Sequence, residues 1–354
     1  MSTTKRAITA LVIFTVAALL LCFTDTAAEG AREGVLLCAH VVIPTLFPFM
    51  AVAGFLALSG VGDILAWPLL PVTRYLFKLP DEAAGAVLMS FVGGYPAGAK
   101  TVATLVEQRR LGAQHAARML CYCVNAGPSF LVSAVGSAIY GSPQAGWILL
   151  VAQIVASVAV GIIVSWGKPV PKASSRQEST AMSVAFVSAV TSAATAMIAA
   201  CAFIVFFSVA SEMVGLLFTV GEASPLYLLI IGLLEVTKGC AESIHVGGPV
   251  GFGLAAFFVS FGGFSIIGQV AAIMAGTNVR LAPFVVTRPL AGFISAAAAL
   301  PLYHLFQPVM SVMGPPMPPA ASPPEGGIVG ATCMVIAAAI LLIGHRHTAE
   351  VMGS

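Results

Sequence analysis

Glu235 and Lys238 sit in the run Gly232-Leu-Leu-Glu-Val-Thr-Lys-Gly239, bounded on its N-terminal side by an apolar stretch. Ionisable groups at membrane depth are costly to desolvate and usually serve function. Their spacing on a helix also lets the two side chains neutralise each other. Two readings are open. One is a local ion pair at a hairpin tip near the outer surface. In the other, Glu235 accepts a coupling proton or cation, while Thr237, Lys238 and nearby backbone N–H groups attract an anionic or polar group of a solute.

Three further interruptions of apolar sequence carry polar or glycine residues: Gly93-Gly94-Tyr95-Pro96, Asn125-Ala126-Gly127-Pro128-Ser129, and Gly262-Gly263-Phe264-Ser265 with Gln269 one turn later. An unwound turn in a membrane helix frees N–H and C=O groups that can hold a polar ligand or ion. The same glycines can serve close helix packing, and Asn125, Ser129, Ser265 and Gln269 can act as interhelical hydrogen-bond glue worth about 0.6–2 kcal/mol each. Lys100, near Arg109 and Arg110, is either an interface anchor or a site residue. Arg288, in Thr287-Arg288-Pro289, is expected to snorkel from within its span.

The elements that position these residues follow from composition. Of 354 residues 59 % are apolar and only 8 % charged, with a mean hydropathy of +1.00, whereas soluble domains carry about 25 % charged residues. The chain is a membrane protein whose first partner is the lipid bilayer. A net charge of +2, spread along the chain, gives no dense basic face for nucleic acid. Nucleophile-elbow, zincin and P-loop patterns are absent, so neither an enzyme nor a cofactor is expected. The seven cysteines lie in apolar segments without a disulfide framework, and Cys121-Tyr-Cys123 lacks further ligands at metal-binding spacing.

Ala7 to Phe23 reads as a signal peptide or a first transmembrane helix, and the missing small-x-small cleavage site favours a retained helix. Further apolar segments lie near 35–59, 83–99, 117–140, 145–166, 183–217, 225–243, 250–276, 281–305 and 327–344. Lys and Arg are retained on the cytoplasmic side. With both termini inside, 13 of the 16 basic residues are cytoplasmic provided that 83–99 and 225–243 are re-entrant hairpins; the exceptions are Arg32, Lys238 and Arg288.

The expected fold is therefore all-α, a polytopic membrane protein of about eight transmembrane helices plus two re-entrant hairpins. Its divisions are an N-terminal helix and outer loop (1–30), a first gate-like repeat (31–166), a cytoplasmic linker (167–182), a second gate-like repeat (183–306), a Pro-rich outer linker (307–326) and a C-terminal helix with a cytoplasmic tail (327–354). The repeats enter the membrane from opposite sides, an inverted-topology plan typical of secondary transporters.

Gly93-Gly-Tyr-Pro-Ala-Gly-Ala-Lys100 resembles the hallmark of the YlbJ-type sporulation integral membrane protein family. The resemblance continues through Asn125–Ser129, Gly232–Gly239 and Ser260–Ser265 to Gln269, in order over roughly residues 30–306. It implies the nucleoside-recognition, or gate, domain superfamily, similar to the core of concentrative nucleoside transporters, with paired hairpins around a midplane site and a role in endospore formation. The resulting expectation is a cell-membrane protein that moves or senses a small polar, nucleoside-like solute by alternating access, with a coupling proton or cation. Assembly as a homo-oligomer is compatible with this. The alternative is a non-transporting membrane scaffold for spore-formation partners.

Overall fold

The computed structural model describes residues 3–61, 65–169, 181–216, 218 and 225–306. The expected last helix, the Pro-rich linker and most of the linker at 167–182 lie outside the described residues. Among those described, every regular element is helical. In hydrocarbon a backbone outside a closed barrel must satisfy its own hydrogen bonds, and a helix does so within a single segment.

The first half begins with α1 (Thr3–Cys22) and α2 (Thr24–Leu37), which passes through a wide π turn at Cys38–Val42 into α3 (Ile43–Ser59). Here the structure corrects the expected outer loop, because the acidic segment Asp25–Glu33 is helical. Its alanines and glutamates favour helix. Gly30 and Gly34, one turn apart, also let the backbone of α2 lie directly on a long helix of the second half: an added Cβ at either would come within 2.8 Å of the Cα of Val209 or Val205. Such close approach is how small residues hold membrane helices together.

Next come α4 (Ala84–Glu107), α5 (Ala113–Cys123), α6 (Phe130–Ile139, wound as a π-helix) and α7 (Pro143–Ser165). Ser142 starts α7 by accepting the Ala145 N–H, and Pro143 occupies a position where its missing N–H costs nothing. The second half contains α8 (Met182–Gly215), α9 (Pro225–Leu234), α10 (Val236–Val246), α11 (Gly248–Phe261), α12 (Gly263–Ile273) and α13 (Ala282–Phe306). Among the described residues, five stretches are long and apolar enough to cross a bilayer: Thr24–Leu56, Pro143–Ser165, Met182–Gly215, Gly248–Ile273 and Ala282–Phe306.

Both expected hairpins double back where the sequence breaks. In α4 the reversal is at Gly94, whose φ of 82° and ψ of −174° lie outside the helical region and suit a residue without Cβ. An added Cβ at Gly98 would lie 3.4 Å from the Cβ of Ser90, whereas residues eight apart on a straight helix are separated by about 12 Å. In the second case Gly239 on α10 packs against the Cα of Gly232 on α9, seven residues earlier. The helices around these hairpins pair across the molecule: α2 and α3 lie along α8, α7 along α13, α4 against α12, and α6 against α10.

Candidate functional site

The four sequence breaks meet in pairs. In the first half, an added Cβ at Gly127 would lie 3.3 Å from the Cα of Gly94, so the extended stretch between α5 and α6 rests on the turn of the first hairpin. In the second half, Gly263, with φ +74°, comes equally near to the turn of the other hairpin: an added Cβ would be 3.0 Å from the Leu234 carbonyl and 3.4 Å from the Glu235 N. Each hairpin turn is thereby seated on the broken helix that follows it.

Between the two turns lies a small cavity of about 30 Å³, enough for one water-sized occupant. Tyr95, Pro96 and Gly127 reach it from the first half, and Glu235, Thr237 and Gln269 from the second. These six expected site residues are 95 to 269 positions into the chain, yet they line one space. Tyr95 also crosses between the halves, donating its hydroxyl to the carbonyl of Val259, just before the Gly262 break.

Glu235 is 1 % exposed. It caps α10: one carboxylate oxygen accepts the backbone N–H of Lys238 at 2.8 Å, and the other accepts the Thr237 hydroxyl at 3.2 Å. Of the two readings, the local ion pair between Glu235 and Lys238 is not formed. The carboxylate of Glu235 is committed to two donors at the helix end, and two other carboxylates lie within reach of the Lys238 ammonium. Lys238 instead extends its ammonium to Glu212 at 2.6 Å and Glu33 at 2.8 Å, tying the second hairpin to α8 and α2. Among the described residues, no basic side chain forms an ion pair with Glu235.

The other expected residues have structural neighbours. Asn125 does not line the cavity; its amide donates to the Tyr122 carbonyl at 2.7 Å and its oxygen accepts the Ser157 hydroxyl at 2.6 Å. Ser265 accepts a bond from Gln269 at 3.3 Å, and Gly93 and Gly262 shape the turns. The hydroxyl of Ser129 is buried without a hydrogen-bond partner among the described residues. Lys100 lies away from the Glu235 cavity, on a separate and larger one.

Sequence reasoning missed what holds the Asn125–Ser129 break open. Gln153 on α7 clamps Ala126, accepting its N–H and donating to its carbonyl, both at 2.9 Å. Arg288, which was expected to snorkel, is instead 1 % exposed, because it donates to the carbonyls of Cys121 and Val124, both at 2.8 Å. A guanidinium over the last carbonyls of a helix also complements that end's partial negative charge. The available signal was a lone Gln and a lone Arg inside apolar helices, since polar groups there seek partners.

No family model matches the chain, and no solved structure matches it. Among curated proteins the chain is similar to the sporulation integral membrane protein YlbJ of Bacillus subtilis (strain 168), with 26 % identity over 314 residues, covering 78 % of this chain and 77 % of that protein. The similarity to an integral membrane protein and the apolar helices together make this a multi-pass membrane protein.

Proposed function

We propose that this chain, which belongs with the YlbJ-type sporulation integral membrane proteins, moves a small polar solute across the cell membrane during spore formation. The observation that carries this reading is the cavity lined from both halves by hairpin turns and broken helices, with Glu235 buried on it and no basic partner among the described residues. An anionic carboxylate in such surroundings requires a compensating charge. A proton or small cation supplies it, so Glu235 is the coupling group, while Tyr95, Thr237, Gln269 and the backbone at Gly127 offer donors and acceptors to the solute. Nucleosides, which present hydroxyls and ring nitrogens, suit these groups.

The reading includes a membrane arrangement. The two halves are inverted repeats, each hairpin re-enters on the face it left, and both termini are cytoplasmic. The cross-pairing of α2 and α3 with α8, of α7 with α13, and of α4 and α6 with α12 and α10 supports the repeat. Transport then consists of exposing the Glu235 cavity to one face and the other in turn. The chain acts as a carrier and carries out no bond chemistry.

The test is uptake by the purified protein in liposomes. A panel of labelled nucleosides, nucleobases and other small polar solutes is offered under imposed proton or sodium gradients. Gradient-dependent uptake of at least one solute is expected, with Glu235→Gln lowering its rate by about ten-fold or more while Glu242→Gln leaves it unchanged. Inactivity across the panel, together with full rescue of spore formation in the native host by Glu235→Gln, would sink the carrier reading in favour of a scaffold.

A further inference from the structure

A second and larger cavity, of about 290 Å³, lies between α3, the first hairpin, chiefly its second leg, and α8. Its walls carry Lys100, Thr104, Arg110, Ser188 and Ser192, with Glu107 at the same end. Lys100 is half-buried and, among the described residues, forms no ion pair or hydrogen bond. Lys100 brings an ammonium group to this space, and hydroxyls on two of its three walls can solvate a polar guest.

The cavity is the next stage along the same three helices that border Glu235. On α3 its lining includes Met50, and that of the smaller cavity includes Leu46, one turn away. On the hairpin the two are bordered by Ala97 and Pro96, and on α8 by Ala196 and Ala200. All three walls pass from one space to the other within a single turn. The side chains at this constriction are apolar. Space for a small organic molecule on one side, and for a water-sized occupant on the other, is the arrangement of an outer chamber closed off from an inner site.

We propose that the 290 Å³ cavity is an entrance chamber for small organic anions, solutes bearing a carboxylate or phosphate, with Lys100 as the group that attracts them, and that the constriction at Met50 and Ala97 opens to pass them toward Glu235. This rests on the carrier reading and narrows its small polar solute from neutral nucleosides to anions. Lys100 supplies the attraction at the mouth. Glu235, once neutralised by its proton or cation, no longer repels the anion at the inner site. A charged chamber walled by low-dielectric helices concentrates ions of opposite sign.

The experiment reads charge selection without needing the solute. Ser192→Cys is introduced into the full chain with Cys22 and Cys333 changed to serine. Inside-out and right-side-out membrane vesicles are then treated with methanethiosulfonate reagents of similar size, one bearing a sulfonate and one a quaternary ammonium. The thiol introduced by Ser192→Cys is expected to react from one membrane face only, the face of the loop carrying Arg109 and Arg110. Its anionic-to-cationic rate ratio, relative to that of free cysteine, should be raised about five-fold or more. Lys100→Glu should lower the ratio below that of free cysteine, and Lys100→Gln, which conserves size, should bring it close to that value. An unreactive thiol at position 192, or a ratio equal to that of free cysteine and unmoved by either substitution, overturns the chamber. Intact uptake with charge-blind labelling overturns the chamber alone, whereas charge-selective labelling in a protein that transports nothing upholds the chamber and overturns the carrier reading.

Discussion

Arg288 and Gln153 together hold the break at Asn125–Ser129. The two hydrogen bonds of Arg288, to Cys121 and Val124, satisfy carbonyls that α5 leaves open where it ends, and each buried acceptor left unmade costs about 1–3 kcal/mol. Arg288→Met is therefore expected to destabilise the protein by about 2–5 kcal/mol, with a smaller loss for Arg288→Lys, whose single ammonium reaches one carbonyl more readily than two. Thermal unfolding of the detergent-solubilised protein, followed by size-exclusion chromatography, measures both. Equal midpoints for Arg288→Met and the unsubstituted protein would show that the bonds contribute nothing. Gln153→Leu, which strips both polar partners from Ala126, should lower the midpoint in the same assay. Neither residue's partner was legible in the sequence, because Arg288 and its acceptors are 164 and 167 positions apart. An isolated polar side chain announces only that a partner exists. The breaks themselves were legible, since Gly-Gly and Asn-Ala-Gly-Pro interrupt helical sequence wherever they occur.

At the scale of elements, the hairpins depend on glycines at which two backbones meet. At Gly98 an added Cβ would strike the Cys123 carbonyl, and at Gly239 it would strike the Cα of Gly232 and approach the Phe258 ring to 3.1 Å. Backbone cannot be displaced as a side-chain tip can, so Gly98→Val and Gly239→Val should each cost about 3 kcal/mol or more, at or beyond the upper end for overpacking. Gly112→Ala is the matched control, because its Cβ meets only the His115 ring, at 3.6 Å. The yield of monodisperse protein on a sizing column separates the cases, and a normal yield for both valine variants would mean that neither the first hairpin on α5 nor the two legs of the second hairpin pack as described. The reversal at Gly94 could be anticipated from Gly-Gly-Tyr-Pro. The helical state of Asp25–Glu33 could not, because its charges suggested a solvated loop while the close approaches at Gly30 within it and Gly34 just after it are to Val209 and Val205 on a helix far along the chain.

For the molecule as a whole, the arrangement of halves makes its own prediction. If each hairpin re-enters, its flanks share a face and the two hairpins open to opposite faces. Single cysteines at Asp81 and Gln108 should therefore label from one side of the membrane, and a cysteine at Val246 from the other, using a membrane-impermeant maleimide on right-side-out and inside-out vesicles. Labelling of positions 81 and 108 from opposite sides would turn the first hairpin into a full crossing and remove the inverted plan. Charge counting alone leads to the proposed topology, because Lys and Arg positions are read directly along the chain. The convergence of Tyr95, Gly127, Glu235 and Gln269 on one cavity needed three dimensions, since hydropathy reports depth in a membrane and not lateral position within it.

Lys238 faces Glu33 and Glu212 with one positive charge against two negative ones. If the second hairpin swings away from α2 and α8, it takes the ammonium of the cluster with it and leaves two carboxylates to face each other. The separated arrangement is then electrostatically loaded like a drawn spring, and relaxes by recapturing Lys238 rather than by any contact formed at the far end of the movement. Mobile ions blunt that return force, so the dwell time of such a swung-out hairpin should lengthen with ionic strength, and in the proposed carrier the membrane's aqueous surroundings would share in setting its pace.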